Sequence, residues 1–287
     1  MLKQRIITAL VLAPLALLAV FFLPLPGFSF FVAAVVLLGA WEWSRFCHLT
    51  SHTKRMSYVA MTAALMAVLY LLLPPIINWP LTDSWLIKTV LLMGFLWWLL
   101  ASALVLSFPR SKTFWAHSLW LRAVMGWLTL IPAWLALILI RSVDNIHNPF
   151  TGAYLICGLL ALVWAADIGG YLVGKPLGKT KLLPNVSPGK TVEGMLGGLA
   201  MVLLLVLLLA AWLGWPPQTG ILFVAAAGLT LLSVFGDLTE SMLKRVAGVK
   251  DSGSMLPGHG GILDRIDSLT ATAPLYALLV AILSGAF

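Results

Sequence analysis

The sequence predicts an all-α polytopic membrane protein with about nine transmembrane helices, each of roughly the 20 residues that cross the hydrocarbon core. Its 287 residues are 61% hydrophobic and only 10% charged, whereas about a quarter of the residues of a soluble domain are charged. A chain of this length cannot form a water-facing surface from this small number of charged side chains. Most of its surface must therefore face lipid. The predicted spans are residues 5–24, 28–46, 57–77, 85–107, 120–141, 151–173, 195–213, 219–235 and 269–286.

The first span follows Lys3 and Arg5 and looks like a signal peptide as far as Pro26. No A-x-A-like cleavage site follows it, and further apolar segments come after it. An uncleaved first membrane helix is therefore the better interpretation.

The basic residues alternate between the predicted loops, and this alternation sets the orientation. Of the 18 Lys and Arg residues, all but Lys88 and Arg141 fall at the N-terminus or in loops on the same side as it. Because cytoplasmic loops carry the excess of Lys and Arg, we expect a cytoplasmic N-terminus and a periplasmic C-terminus. The same topology explains the net charge of +8, so no nucleic-acid partner is predicted.

The acidic residues concentrate in the second half of the chain. Glu42, Asp83 and Asp144 come before residue 150, and the others are Asp167, Glu193, Asp237, Glu240, Asp251, Asp264 and Asp267. We therefore divide the chain into a transmembrane scaffold region, residues 1–150 with about five of the spans, and a catalytic transmembrane region, residues 151–287. The second region contains two predicted cytoplasmic loops, 174–194 and 236–268.

The loop 174–194 contains Gly178-Lys179-Thr180, which at first sight resembles a phosphate-binding loop. We reject a P-loop, because that pattern has four residues between its glycines and follows a strand. Glycine-rich turns beside lysines at a helix start can still bind phosphate. Ser187 or Thr191 is expected to cap the next helix, with Pro188 at an early helical position and Glu193 in the first turn. A capped loop whose lysines only set the topology is the alternative.

The loop 236–268 combines acidic, basic and glycine residues most densely. If residues 237–246 continue the eighth span as a helix, Asp237, Ser241 and Lys244 share one face of it. A carboxylate near hydrocarbon costs about 2.5–3.5 kcal/mol. A bound divalent cation or ion pairs with neighbouring bases would offset this cost, and a solvated loop of internal ion pairs is the alternative.

The start of the ninth span adds two more carboxylates. If Gly260-Gly261 opens that span, Asp264 and Asp267 lie three residues apart on one face. The two helices could then present carboxylates to one point, and carboxylates with phosphate oxygens are the ligands that Mg²⁺ prefers. His259 lies among glycines, which are costly in backbone entropy, so we interpret it as a phosphate donor rather than a core residue.

These residues carry a resemblance to a known family. The run Ser241-x-x-Lys244-Arg245-x4-Lys250-Asp251-x-Gly253-x-x-Leu256-Pro257-Gly258-His259-Gly260-Gly261-x-Leu263-Asp264-Arg265-Ile266-Asp267 resembles the signature of the bacterial phosphatidate cytidylyltransferase (CDP-diacylglycerol synthase) family. Ser187-Pro188-Gly189-Lys190-Thr191-x-Glu193-Gly194 looks like a second motif of that family. The resemblance covers the whole chain, and its specific residues lie within 164–268. The sequence departs at Ile168, where the family more often has a small hydroxyl residue.

The resemblance implies the reaction of CTP with phosphatidic acid to give CDP-diacylglycerol and pyrophosphate, a step in phospholipid biosynthesis. It also implies Mg²⁺ and a monovalent cation such as K⁺, and a multi-pass protein of the bacterial inner membrane with its active site facing the cytoplasm. The oligomeric state is left open, with a homodimer as one option. CTP rather than dCTP rests on the resemblance, since no base-reading residue is visible.

The resemblance and the charge pattern together give a set of expected site residues. The expected metal ligands are Asp167, Asp237, Asp264 and Asp267. The expected catalytic residues are Asp237, Lys244, Lys250, Asp264 and Asp267. The expected substrate-binding residues are Ser187, Lys190, Thr191, Glu193, Ser241, Arg245, His259, Gly260, Gly261 and Arg265.

Two other classes of function are weighed against this reaction. A transporter for an anionic solute also has intramembrane charges and broken helices, but no inverted repeat is visible and the charges crowd at one face. A lipid-phosphate transferase with a CDP-alcohol or prenyl donor would need D-G-x2-A-R or D-D-x-x-D aspartate spacings, which the sequence lacks.

Overall fold

The computed structural model describes residues 2–73, 84–144 and 147–283, with the side chains of 2–7 and 9 left out. The side chains of Lys3 and Arg5, the residue Asp83, and the predicted span ends at 74–77 and 284–286 lie outside the described residues.

The chain is helical almost throughout, which confirms the predicted fold class. The elements are α1 Leu2–Phe22, α2 Leu25–Phe46, α3 His52–Leu72, α4 Trp85–Leu106, α5 Lys112–Trp115, α6 Leu119–Ser142, α7 Thr151–Leu177, β1 Lys181–Leu183, β2 Ser187–Thr191, α8 Val192–Trp212, α9 Thr219–Ala247 and α10 Leu263–Leu283. Within the described ranges, eight helices, α2–α4 and α6–α10, are long and apolar enough to span a membrane. The first predicted span forms α1, whose described apolar part is Leu10–Phe22.

Hydroxyl residues set the starts of four of these helices. The side chains of Ser51, Ser84, Ser118 and Thr191 each accept a hydrogen bond from the backbone N–H three residues later. Such caps satisfy amides that have no partner within the helix. Thr191 rather than Ser187 therefore caps α8, which was one of the two predicted alternatives.

Helix α6 forms the centre of the bundle. It packs against α2, α4, α7 and α10, and 78% of its apolar window is buried, against 22–50% for the other spans. Exposed leucines on the outer helices, such as Leu96 and Leu208, fit a surface that faces lipid. The predicted scaffold region therefore supplies the central helix of the whole molecule.

Small residues bring α7 and α8 into close contact beside the predicted site. A Cβ atom at Gly169 would lie 2.5 Å from the carbonyl oxygen of Gly197, and one at Gly198 would lie 2.6 Å from that of Ala166. Small residues let membrane helices approach this closely. The contact fixes the two helices on either side of the hairpin that joins them.

Loops that were predicted on the basic side meet at one end of the bundle. Arg245 at the end of α9 donates to the carbonyl of Val186 in the hairpin at 3.1 Å, and Arg45 of α2 donates to that of Ser252 at 2.9 Å. Arg141, predicted on the opposite side, instead donates to the carbonyl of Val20. These three contacts agree with the predicted sorting of the loops, and the orientation of the termini stays a prediction.

The two predicted loops are shorter than expected. Helix α9 continues to Ala247, as the helical interpretation of 237–246 required, and α10 begins at Leu263, so the connecting loop is only 248–262. In the other segment, β1 and β2 form an antiparallel hairpin. The expectation that Pro188 occupies the start of a helix is wrong, because it lies in β2.

Candidate active site

The hairpin places Lys190 against α9. Its Nζ lies 2.8 Å from Asp237 Oδ2 and donates to the carbonyl of Val234 at 3.3 Å. Asp237 also accepts a hydrogen bond from Ser241 Oγ, one turn along α9, at 3.2 Å. The predicted shared face of Asp237 and Ser241 is therefore confirmed, and Lys190 supplies the opposite charge.

A cavity of about 440 Å³ opens beside this ion pair. Its size lies within the range of about 300–1,000 Å³ that is usual for small-molecule sites. The lining residues come from α7, the hairpin, α8 and α9: Ala166, Asp167, Gly170, Tyr171, Gly174, Lys175, Leu182, Gly189, Lys190, Thr191, Gly194, Met195, Gly198, Val234 and Asp237. The cavity thus brings two predicted metal ligands and two predicted substrate-binding residues to one wall.

A second polar cluster is built around Lys244 on the same helix. Lys244 Nζ lies 2.6 Å from Asp264 Oδ1 and 3.3 Å from Glu240 Oε1. The other oxygen of Asp264 accepts hydrogen bonds from the backbone N–H of Ser252 at 3.0 Å and of Gly261 at 2.8 Å. Asp264 therefore fixes the connecting loop to α9 as well as carrying charge.

Asp267 lies between the ion pair at the cavity and the Lys244 cluster. It accepts the backbone N–H of Ser268 at 2.7 Å. It is also close enough to interact electrostatically with Asp237, Lys190 and Lys244. Asp167 on α7 interacts in the same way with Asp237 and Lys190. The predicted acidic residues therefore surround two lysines.

The donor chemistry fits a hard cation only together with a phosphate ligand. Within 2–73, 84–144 and 147–283, no group of three or more His, Cys, Asp or Glu side chains is placed to hold a metal ion. Asp237 and Asp264 face different lysines, Lys190 and Lys244. Mg²⁺ commonly takes one or two carboxylates and completes its shell with substrate phosphates and water. Mg²⁺ at Asp237, Asp264, Asp267 and Asp167, like K⁺, stays a prediction.

The turn that resembles a phosphate-binding loop already contains an anion from the protein. Glu193 accepts hydrogen bonds from the backbone N–H groups of Lys179 and Thr180, each at 3.1 Å. These amides therefore hold the first turn of α8 against the hairpin. Thr191 lines the cavity while it caps α8, and Ser187 lies in β2.

Four other predicted residues lie along the connecting loop and beside it. Arg245 and Arg265 are exposed, and each donates to a backbone carbonyl, that of Val186 and that of His259 respectively. His259 Nδ1 is buried, with no hydrogen-bond partner among the described residues. Lys250 is exposed at the end of α9. None of the four lines the main cavity.

Two acidic residues at this end of the bundle were not predicted as site residues. Glu240 is 4% exposed and pairs with Lys244. Glu42, which was assigned to the scaffold, is 1% exposed and accepts hydrogen bonds from Ser252 and Leu263. An acidic residue in an apolar helix is itself a signal of a functional site. That signal could have identified both.

Comparisons with known proteins show the family to which the chain is similar. The model of the cytidylyltransferase family matches residues 3–283. A phosphatidate cytidylyltransferase of Pseudomonas aeruginosa is 47% identical over 98% of this chain and 97% of its own length. One of Haemophilus influenzae is 39% identical over 96% and 98%. One of Synechocystis is 52% identical over 46% of this chain and 45% of its own length.

Proposed function

The chain belongs to the cytidylyltransferase family, and we propose that it transfers the cytidylyl group of CTP to phosphatidic acid. The products are CDP-diacylglycerol and pyrophosphate, so the protein is a nucleotidyltransferase of phospholipid biosynthesis. Two relatives that carry the name phosphatidate cytidylyltransferase align over almost the whole chain. The structural observation that carries the proposal is the cavity between membrane-spanning helices in which Lys190 faces Asp237.

The cavity suits phosphorylated substrates because two lysines line it. These are Lys175 and Lys190, and Lys190 has a partly exposed side chain. Positive charges are needed because both substrates are anionic and repel one another. In this proposal Lys190 exchanges Asp237 for a phosphate oxygen when CTP enters.

In the proposed reaction an oxygen of the lipid phosphate attacks the α-phosphorus of CTP. A new P–O bond forms, the bond between the α-phosphorus and its bridging oxygen breaks, and pyrophosphate leaves with the electron pair. The lipid phosphate is already ionised at neutral pH, so little general-base help is needed. Catalysis of this kind depends on positioning and on neutralising charge. Lys190 and Lys244 supply that charge from the two sides of Asp267.

Bound Mg²⁺ would neutralise phosphate charge and orient the triphosphate. Asp237, Asp264, Asp267 and Asp167 would hold it, with phosphate oxygens completing the shell that this ion prefers. Asp167 and Asp237 line the cavity, Asp267 interacts electrostatically with Asp237, and Asp264 belongs to the neighbouring Lys244 cluster. Lys250, Arg245, Arg265 and His259 contribute from the connecting loop and its flanks. Lys250, Arg245 and Arg265 are exposed and would add positive charge near the site.

The proposed location is the bacterial inner membrane, with the site facing the cytoplasm. The bases at the site end include Arg45, Lys190 and Arg245, whose loops meet there. Loops with excess Lys and Arg stay on the cytoplasmic side. CTP would therefore reach the cavity from the cytoplasm and phosphatidic acid from the adjacent leaflet.

The test is turnover by purified protein in mixed micelles with labelled CTP, phosphatidic acid and Mg²⁺. We expect labelled CDP-diacylglycerol that depends on all three components. The opposite result, solute uptake by vesicles that contain the protein with no nucleotide turnover, would favour the transporter and exclude the proposed reaction.

A further inference from the structure

We propose that Glu42 and Arg45, on helix α2 of the predicted scaffold region, position the active site by holding Ser252, which in turn holds Asp264. This inference rests on the proposed function, since it assigns positioning residues to the same site. It makes Glu42 a positioning residue and not a group that touches substrate.

Helix α2 holds Ser252 from two directions. Glu42 Oε2 accepts a hydrogen bond from Ser252 Oγ at 2.9 Å, and Arg45, one turn further along α2, donates to the Ser252 carbonyl at 2.9 Å. The two residues lie on one face of the helix because they are three positions apart. Ser252 is completely buried, so its bond to Glu42 is shielded from water, while the bond to Arg45 is partly buried.

Ser252 passes this constraint to Asp264. Its backbone N–H donates to Asp264 Oδ2 at 3.0 Å, and its hydroxyl lies at 3.0 Å from the same oxygen. A hydroxyl carries only one proton, and Asp264 already receives two backbone N–H groups and Lys244. The Ser252 hydroxyl therefore donates its proton to Glu42. This hydrogen bond fixes the rotamer of Ser252 beside Asp264.

Glu42 also fixes the first residue of α10. Its Oε2 accepts the backbone N–H of Leu263 at 2.9 Å, across 221 positions of sequence. Leu263 immediately precedes Asp264, so the same carboxylate oxygen holds the residue before Asp264 and the serine that binds it. Such an arrangement restrains both the backbone and the side-chain direction of Asp264.

The glycines of the connecting loop are packed against this carboxylate. A Cβ atom at Gly253 would collide with Glu42 Oε1, and one at Gly261 would collide with Ser252 Oγ and Glu42 Oε2. These glycines are therefore needed for close approach to Glu42. A buried carboxylate is costly unless it is hydrogen-bonded; Ser252 and Leu263 supply two hydrogen bonds to Oε2, whereas Oε1 is buried without a hydrogen-bond partner among the described residues.

The experiment compares steady-state kinetics of Glu42→Ala, Glu42→Gln, Ser252→Ala and the double variant Glu42→Ala/Ser252→Ala. Loss of a partner that orients a working carboxylate typically costs about 10–100-fold. We expect kcat to fall by about tenfold or more in Glu42→Ala and Ser252→Ala, with KM for CTP changed less. Glu42→Gln keeps an acceptor oxygen and should recover most of kcat. The double variant should lose no more than Glu42→Ala alone, since the Ser252 hydroxyl acts through its bond to Glu42.

The matched control is Val32→Ala, a buried position on the same helix, about 15 Å from Glu42 at 1.5 Å per residue. It should lower the thermal unfolding temperature and leave kcat near the wild-type value. If Glu42→Ala folds poorly, Ser252→Ala carries the test with the same expected loss.

Three results would overturn the positioning role. The first is wild-type kcat in both Glu42→Ala and Ser252→Ala. The second is a double variant whose loss is the product of the single losses. The third is a kcat loss in Val32→Ala as large as that in Glu42→Ala at the same fall in unfolding temperature. Wild-type turnover in the same assay tests the proposed function. If the wild-type protein shows no turnover, the proposed function fails; if it turns over but the variants behave as described above, only the positioning role fails.

Discussion

Two segments meet at the site end of the bundle, and certain glycines in them have opposite surroundings. In the hairpin segment, residues 178–191, Gly189 lines the cavity and no described atom lies within 4 Å of an added Cβ. In the connecting loop, residues 248–262, the space beside Gly253 and Gly261 is filled by Glu42 and Ser252. Glycine thus leaves room for a ligand at Gly189 and allows tight packing of protein at Gly253 and Gly261, although the hairpin segment also has a packed glycine, Gly178.

The lysines near these segments differ in the same way. Lys190 and Asp237 keep 27% and 36% of their side chains exposed, so this pair can open toward a ligand. Lys244 and Asp264 keep only 14% and 7%. The comparison favours the proposed exchange of partners at Lys190, beside the hairpin. It indicates that the pair of Lys244 and Asp264, beside the connecting loop, is held fixed.

The largest expected effect is at the fixed pair. Asp264→Asn should lower turnover by about 10³-fold, because it removes a carboxylate that pairs with Lys244 and holds the loop. The protein should still insert into the membrane, with a lower unfolding temperature. Turnover and yield in the membrane fraction measure both effects, and full activity in this variant would remove Asp264 from the site.

Lys190→Ala should lower kcat by about 100-fold, the effect of losing one preorganised group that stabilises charge in the transition state. Its unfolding temperature should change little, since the pair with Asp237 is partly exposed. Lys181→Ala, at an exposed lysine of β1, is the matched control and should retain activity. Equal kinetics of the two variants would contradict the exchange of partners proposed for Lys190.

The two kinds of glycine give the sharpest test of the comparison. Gly261→Ala should destabilise the protein by about 1–3 kcal/mol, as overpacking does, because its Cβ meets Ser252 and Glu42. Gly189→Ala should leave stability unchanged and raise KM. Thermal unfolding in detergent and steady-state kinetics distinguish the two variants. A Gly189→Ala variant that is destabilised as much as Gly261→Ala would contradict the difference between the two glycines.

The smallest expected effect is at Lys250. Lys250→Ala should raise KM for CTP by about threefold, as expected for a solvent-screened charge, with unchanged kcat and unfolding temperature. An unchanged KM would exclude Lys250 from nucleotide binding.

Local periodicity was enough to predict most of the helices and part of the site. The extension of α9 brings Asp237 and Ser241 onto one face because residues four apart meet on any helix. Thr191 and Glu193 were correctly expected at the start of α8 because capping is a local interaction. These features depend on neighbours in sequence, which the sequence shows directly.

The remaining features depend on contacts between distant parts of the chain. Pro188 was misplaced because the hairpin is stabilised by pairing of β1 with β2, which outweighs the tendency of proline to begin a helix. Glu42 was overlooked because its partners are Ser252 and Leu263, more than 200 positions away. The hydrogen bonds of Glu193 were unpredicted for the same reason, since they close a turn across the hairpin.

The length of α9 sets the depth at which the reaction takes place. Asp237 lies about 27 Å from the first residue of this helix at 1.5 Å per residue, and the hydrocarbon core is about 30 Å thick. If α9 enters the hydrocarbon core at Thr219, Asp237 would lie close to the opposite boundary of that core, near the phosphate groups of that leaflet. A lipid can react there while its tails stay in the bilayer, so variation in acyl chains would be felt far from the bonds that change.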